Sequence, residues 1–350
     1  MNILETIVSE LRGFLGINEA LKIIQSGDYS AFLTFDGIKS AIYPLIPFLL
    51  IFEFIAGLIY KNPHTKVYKV NFLLYILNRF ISRFISIGVI GFVLANFQKY
   101  ALFQTTFTWY WLIYGYVVWE FSHFIYHYLG HKVRLFWCLH STHHAPENMN
   151  LSVTYAHFFL EGPYADAIRG TICILAGIHP ELLFFIMFID GTWGAFIHVG
   201  ENFVKDGRLG LHKIPFFGKY ILSPTDHRVH HARNPLYMDT NYCNLLNIWD
   251  RVFGTYQPIH DEVKIEYGIT RKMDSGNLLD VYFGEIWALL KDISKAPNLK
   301  TVFLYLIMPP GWSPTGEHQT AEVVKRQYFE SKSDFAKNLK SETAAHSNQS

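Results

Sequence analysis

His140-Ser141-Thr142-His143-His144 and His227-Arg228-Val229-His230-His231 carry one pattern, HxxHH, 87 residues apart in a chain of 350. Upstream lies His127-Tyr128-Leu129-Gly130-His131, an HxxxH, and thirteen of the 17 histidines fall between His123 and His231. On a helix, positions i, i+3 and i+4 share a face, so the spacing predicts helical stretches that each aim their imidazoles at one point. Neutral imidazole is the commonest metal ligand. The three boxes supply eight rings, whereas zinc takes three or four protein ligands. Eight rings suit two metal ions side by side. Imidazole accepts zinc, copper, iron or nickel, so the ligand type alone does not name the metal. A satisfied core histidine explains one such residue but not a repeated triplet.

Working outward, half of the residues are hydrophobic, 17% are aromatic and 17% charged. That charge content is below the usual quarter of soluble domains and fits a polytopic membrane protein. A net charge of +1 with no long basic block excludes a nucleic-acid partner on electrostatic grounds. Cys138, Cys173 and Cys243 are odd in number and show no paired spacing, which argues for a reducing compartment rather than a disulfide framework. Cys138, among the boxes, reads as a small buried residue rather than a ligand.

The sequence divides into an amphipathic, interfacial segment (1–40), a membrane-embedded catalytic domain (41–260), a helical extension (261–314) and a polar tail (315–350). Within the first, Met1 to Gly16 has helical apolar spacing and lacks the continuous apolar run of a secretory signal. Candidate spans are Ile42–Tyr60, Asn71–Phe97 and Ala101–Val118. Ala165–Ile178 and Pro180–His198 form an expected helical hairpin turning at His179-Pro180. The first holds 19 residues, close to the roughly 20 that cross a hydrocarbon core. Arg79 and Arg83 within the second are expected to snorkel or to face the bundle interior. The lysine-bearing loop 61–69 is expected on the cytoplasmic side, and counting spans from there puts every box on that side. Tyr282–Leu290 and Thr301–Met308 are apolar but short, and Ala321–Leu339 has the pattern of a surface helix. The fold class expected is therefore all-α: about four transmembrane helices carrying a cytosolic, helical, histidine-rich metal domain.

His127, His131, His140, His143 and His144 are expected to form one half of the site and His227, His230 and His231 the other. His198, closing an apolar helix on the same side, is the ninth expected ligand. His123, one turn before His127, is a possible further ligand, with support of the ligands its stronger role. His157, His179 and His212 lack helical partners at ligand spacing and read as structural. Ligating imidazoles usually donate their other N–H to a carboxylate or carbonyl. Glu120, Glu147, Asp226, Asp239 and Asp250 are the nearest carboxylates in sequence, with Asp226 equally placed to cap the last ligand helix. The polar segment from Arg233 to Tyr242 is positioned to brace the site or line its entrance. Iron with open positions activates O₂, and a lipid chain sliding from the bilayer into an aromatic-lined cleft would supply a C–H bond for oxidation.

With HxxxH, HxxHH and HxxHH following apolar spans, the chain resembles the membrane-bound fatty acid hydroxylase / sterol desaturase superfamily. The stretches Ser223 to Asn234, Asp239 to Tyr242, Ile248 to Thr255, Asn150 to Ser152 and Pro309 to Trp312 resemble its alkylglycerol-monooxygenase-like branch and bacterial relatives. The resemblance covers about residues 40 to 315 and implies a four-helix membrane cone with two iron ions held by the nine histidines. It also implies O₂ as cosubstrate and a reductase, cytochrome or ferredoxin-type electron donor. The active site would face the cytoplasm of a bacterial inner membrane or an endoplasmic reticulum. Three positions depart from the branch: Lys132 stands for a glutamate, Tyr155-Ala156 for a Leu-Arg pair, and His123 for an aromatic. These weigh against ether-lipid cleavage and a tetrahydrobiopterin donor, which stay open beside a fatty acyl or sterol-like substrate, while leaving the di-iron ligands intact. The reading is a lipid hydroxylase, with a desaturase on the same site as the alternative. A metal transporter is disfavoured because the boxes lie beside the spans rather than within them, and a catalytically dead relative because no ligand is missing.

Overall fold

The computed structural model describes residues 17–28, 45–59, 65–201, 203–204 and 207–332, with isolated positions before residue 45. Almost all of the Met1–Gly16 stretch, the start of the loop 61–69 and the tail after 332 lie outside the described residues. The described chain is helical. Its only β pairing is two isolated antiparallel bridges, Ile221 with Leu246 and Ala232 with Tyr267. In order come α1 (Ile17–Ser26), α2 (Leu45–Ile59), α3 (Thr65–Phe97), α4 (Trp109–Lys132) and α5 (Arg134–His144). Then follow α6 (Glu161–Leu175), α7 (Pro180–Phe196), α8 (Phe217–Tyr220), α9 (Pro224–His230), α10 (Ile248–Val252), α11 (Leu278–Ile293) and α12 (Leu299–Ile307). A last helix covers 321–332.

The bundle is α3 against α6, α6 against α4, and α4 against α5 and α7, with α11 laid across α5. Trp119 and Tyr116 of α4, Ile174 of α6 and Leu182 and Ile186 of α7 make the core where these helices meet. A second core, with Val70, Leu74, Phe158 and Tyr282, fastens α3 to α11. At 33 residues, α3 is about 50 Å long, and its two halves differ. In the first half Val67, Val70, Asn71 and Leu74 are buried while Phe72, Ile76 and Leu77 are exposed; in the second, Ile81, Phe84, Ile87 and Phe92 are exposed. The expected span over Asn71–Phe97 is shifted. One face of its first turns packs on protein, and the stretch long and apolar enough to cross a membrane is Ile81–Tyr100. Phe48–Ile59 is a shorter apolar helix whose Phe48, Ile51, Phe52 and Ile55 are also exposed.

The third expected span, Ala101–Val118, is corrected more strongly, because its helix begins only at Trp109. The residues before it cap another element: Leu102 N–H donates to Leu175 O at 3.0 Å and Thr105 N–H to Gly177 O at 2.8 Å. They satisfy the last carbonyls of α6, groups that a helix end leaves open. Two helices joined by a short turn form where the sequence indicates, but each packs mainly on α3 or α4 rather than along the other. Gly177 takes φ +84° after α6, a conformation that favours glycine. His179 caps α7, with Pro180 at its first position.

Glu53, the one acid in the apolar run of α2, is 7% exposed. Its carboxylate accepts from Leu151 N–H and Gly200 N–H, both at 2.7 Å, and from the Tyr68 hydroxyl at 2.8 Å. It ties α2 to the two loops beneath the histidines. Glu53→Leu is expected to leave three buried donors unpaired and to destabilise the fold by about 3 kcal/mol or more. Thermal unfolding in detergent would show it, and an unchanged midpoint would refute the role.

Candidate metal centre

The nine expected ligands are all buried, and they converge as two groups. His127, His131, His140, His144 and His230 offer ring nitrogens within 4.8 Å of one another, and so do His143, His198, His227 and His231. The division into halves by sequence is thus corrected: His143 and His230 exchange places. The idea that each triplet aims at one point is corrected with it. On a helix, i and i+4 differ by about 40° in direction but i+3 and i+4 by about 100°. Each triplet therefore sends its i, i+4 pair into one group and its middle ring into the other. His140 and His144 join His230, while His227 and His231 join His143. The groups touch: the rings of His144 and His231 stack with centroids 4.4 Å apart.

Within the groups, Nε2 atoms face one another. His127 and His140 meet at 3.0 Å, His144 and His140 at 3.1 Å, His227 and His198 at 2.9 Å, and His231 and His227 at 3.1 Å. The opposite edge of several rings is held by an acceptor. Nδ1 of His127 faces Tyr242 O at 2.7 Å, Nδ1 of His230 faces Thr240 O at 2.8 Å, and Nδ1 of His198 faces Gly194 O at 2.5 Å. Nδ1 of His140 faces a Glu161 carboxylate oxygen at 2.5 Å. A carbonyl or carboxylate can only accept, so Nδ1 carries the proton and Nε2 presents a bare lone pair. Bare lone pairs pointing at each other repel without a cation between them. Nε2 of both His131 and His230 is buried with no hydrogen-bond partner. This donor set fits two metal ions, one per group.

Burial and then neighbouring imidazoles hold His143, His144, His227 and His231 well below the ordinary histidine range. Burial takes His198 and His230 down to about 3. Neutral rings are what a metal requires.

The loop after α9 is the brace. Asp239 and Asn241 sit at φ +56° and +57°, a left-handed conformation that Asp and Asn tolerate better than most residues. It turns the carbonyls of Thr240 and Tyr242 toward His230 and His127. Glu120 anchors the following segment through the N–H groups of Asn244, Leu245 and Leu246. Asp250 accepts from Tyr242 and Cys243 N–H, both at 2.8 Å. Of the carboxylates read from sequence, Asp239 lies 3.4 Å from His131 Nδ1 and also binds Lys132 at 2.5 Å. Asp226 completes a capping box with Ser223 at the start of α9. Glu147 accepts from Ser275. Glu120, Asp226 and Asp250 therefore support the backbone rather than the rings, and Glu147 only meets a surface hydroxyl.

Sequence reasoning missed Glu161. It is 2% exposed and accepts from His140 and, at 2.8 Å, from His157. Burial would raise its pKa, but His157 and His140 more than offset that and hold it at about 2. His157, read as structural, stacks on His143 with centroids 4.5 Å apart. Helical spacing gave no signal for it: His157 lies in the loop before the helix that Glu161 opens. His123 joins neither group. It lies 3.7 Å from Asp190, with its ring 5.5 Å from that of His127. His179 is a helix cap and His212 is exposed in a short turn. Cys138 is buried, its thiol donating to Glu285 O.

The helices and the rings together define a class: an all-helical protein that gathers nine buried histidines into two adjoining metal-sized groups. Residues 111–255 match the fatty acid hydroxylase family model, and all nine histidines lie inside that stretch. The chain is similar to the alkylglycerol monooxygenase of Homo sapiens, 27% identical over 62% of this chain and 46% of that protein. That of Caenorhabditis elegans is 30% identical over 56% of this chain and 38% of its own. The ornithine lipid hydroxylase OlsE of Rhizobium tropici is 27% identical over 48% of each. The matched part spans about half the length of these relatives. No solved structure matches the chain.

Proposed function

We propose that the chain is a membrane-bound di-iron oxygenase that hydroxylates a C–H bond of a lipid, using O₂ and electrons from an external donor. The observation that carries this reading is the pair of histidine groups, five and four rings, with Nδ1 edges tied so that Nε2 lone pairs converge. The relatives named for monooxygenation and lipid hydroxylation support it. When bound, the iron pair supplies the O₂-activating redox chemistry. The protein's own part is to fix the tautomers, exclude bulk water by burial and place the substrate.

Two cavities reach the rings from different sides. One, about 520 Å³, is lined by His127, His140, His143, His198 and His227 together with residues of α3, α6 and α7. The other, about 500 Å³, is lined by His131, His144, His230 and His231 with Trp137, Arg134 and residues of 268–324. We assign the first to the lipid and the second to the side from which electrons arrive, through a reductase, cytochrome or ferredoxin-type partner. The exposed apolar faces of α2 and α3, with Phe107, Trp109 and Ile113 near the start of α4, form the kind of patch that contacts a bilayer. In this reading about four helices cross the membrane, and the histidine domain faces the cytoplasm on the side of Lys66 and Lys69. The Lys132–Asp239 pair beside His131 takes the position where the alkylglycerol branch has a glutamate, which sets this chain's electron source apart from tetrahydrobiopterin.

The test is elemental analysis of protein purified in mild detergent, with lipids of expressing cells compared under ¹⁸O₂ and ¹⁶O₂. About two irons per chain and one ¹⁸O atom in a lipid product are expected. A single zinc, or no metal, would overturn the reading.

A further inference from the structure

The lipid-side face of α3 is apolar, but a polar stripe runs along another face. Tyr75, Asn78, Ser82 and Ser86 recur at spacings of three and four, with Arg83 beside them. All five line the 520 Å³ cavity that ends on the histidines. No Leu, Ile, Val, Phe or Met lines that cavity. A pocket built for hydrocarbon is lined chiefly by apolar side chains. The cleft is aromatic-lined, as the sequence indicates, but its aromatics are Tyr75, Tyr126 and Tyr155, which carry hydroxyls and are set among imidazoles and other hydrogen-bonding groups.

Arg83 stands in the first turn of the Ile81–Tyr100 stretch and is exposed. Among the described residues it has neither an ion-pair nor a hydrogen-bond partner. The other guanidinium of the cavity is already engaged. Arg169 donates to Asp166 at 3.1 Å and lies over the rings of Trp119 and Tyr126 at 4.8 and 5.1 Å. An ionisable group within a membrane-facing helix is costly and marks a functional contact. Its planar fork fits a phosphate or carboxylate. The first turn of a span is also the depth at which lipid head groups lie.

We propose that this cavity takes the anionic head group of the lipid, with Arg83 anchoring its oxyanion. The oxidised C–H then lies within a few bonds of the head group instead of far down an acyl chain. That this lipid is oxidised rests on the oxygenase reading; its binding does not. The probe is a labelled monoacyl glycerophosphate, compared with a monoacylglycerol of the same chain in neutral detergent micelles. Purified full-length wild type, Arg83→Ala and Arg83→Lys are titrated, and iron is measured on each. Wild type is expected to bind the anionic lipid roughly tenfold more tightly. Arg83→Ala should remove that preference and Arg83→Lys restore part of it, at equal iron content. Equal binding of both lipids by wild type, or a preference that survives Arg83→Ala, would overturn the inference. So would displacement of the probe by inorganic phosphate as readily as by unlabelled lipid, which assigns the site to a free anion. Iron-free protein that still prefers the anionic lipid would sink the oxygenase reading and leave the head-group site standing.

Discussion

Replacing His144 by alanine is expected to empty both metal sites, not one. Its ring lies 4.8 Å from those of His131, His140 and His230 and 4.4 Å from that of His231. It belongs to the five-ring group by its nitrogen and supports the four-ring group by stacking. Losing it removes a ligand from the first and the packing partner of His231 from the second. It also leaves a void in the ring packing between the two groups. Metal per chain should fall from about two to near zero, and lipid oxidation should fall below detection. His212→Ala, an exposed site, is the control and should keep its metal. If the His144 variant retains its full metal content, the assignment of ligands is wrong.

The second large effect falls on a residue that binds no metal in this reading. Glu161→Ala removes the acceptor for two imidazole N–H groups, that of the buried His140 and that of the half-exposed His157. Each unpaired donor costs about 1–3 kcal/mol. His140 would then be free to move its proton to Nε2, the position that must face the metal. Metal affinity should drop by roughly 10–100-fold, the range for a lost partner of a ligating histidine. Chelator competition measures it. Glu161→Gln keeps the size and one accepting oxygen, so it should fall between wild type and alanine. Equal affinities in all three would show the carboxylate to be packing and nothing more. Because Glu161 is held at about 2 by its two imidazoles despite burial, it stays a carboxylate through the ordinary pH range.

The rings that converge were legible in the sequence because helical spacing is a local property. The HxxxH and HxxHH boxes name eight of the nine rings, and His198 follows from its place at the end of an apolar helix. How they divide was not, since one HxxHH can serve one metal or two. The angle between i+3 and i+4 decides it only once the facing helix is known. Glu161 and the carbonyls of Thr240 and Tyr242 were hidden for the same reason: they reach the rings across long loops, and a backbone carbonyl leaves no trace in residue type. The helices were legible where apolar runs are long, in α3 and α7. They were misjudged at 101–108, where an apolar-rich stretch spends its N–H groups on the end of α6. The first half of α3 shows the converse. One face of its apolar run, with Val67, Val70 and Leu74, covers protein.

The bracing loop sets a timetable for assembly. His127 takes its tautomer from Tyr242, 115 residues later in the chain. While the protein is being made, α4 and α5 exist for some time with four of the five-ring group present but unlocked, their protons free to occupy either nitrogen. Such half-built sites hold metal weakly. Tight capture waits until the chain has passed Thr255 and Asp250 can fix the loop. A late, all-at-once closure gives a nascent chain little chance to trap whichever ion it meets first. It makes the last thirty residues of the domain the gatekeepers of its cofactor.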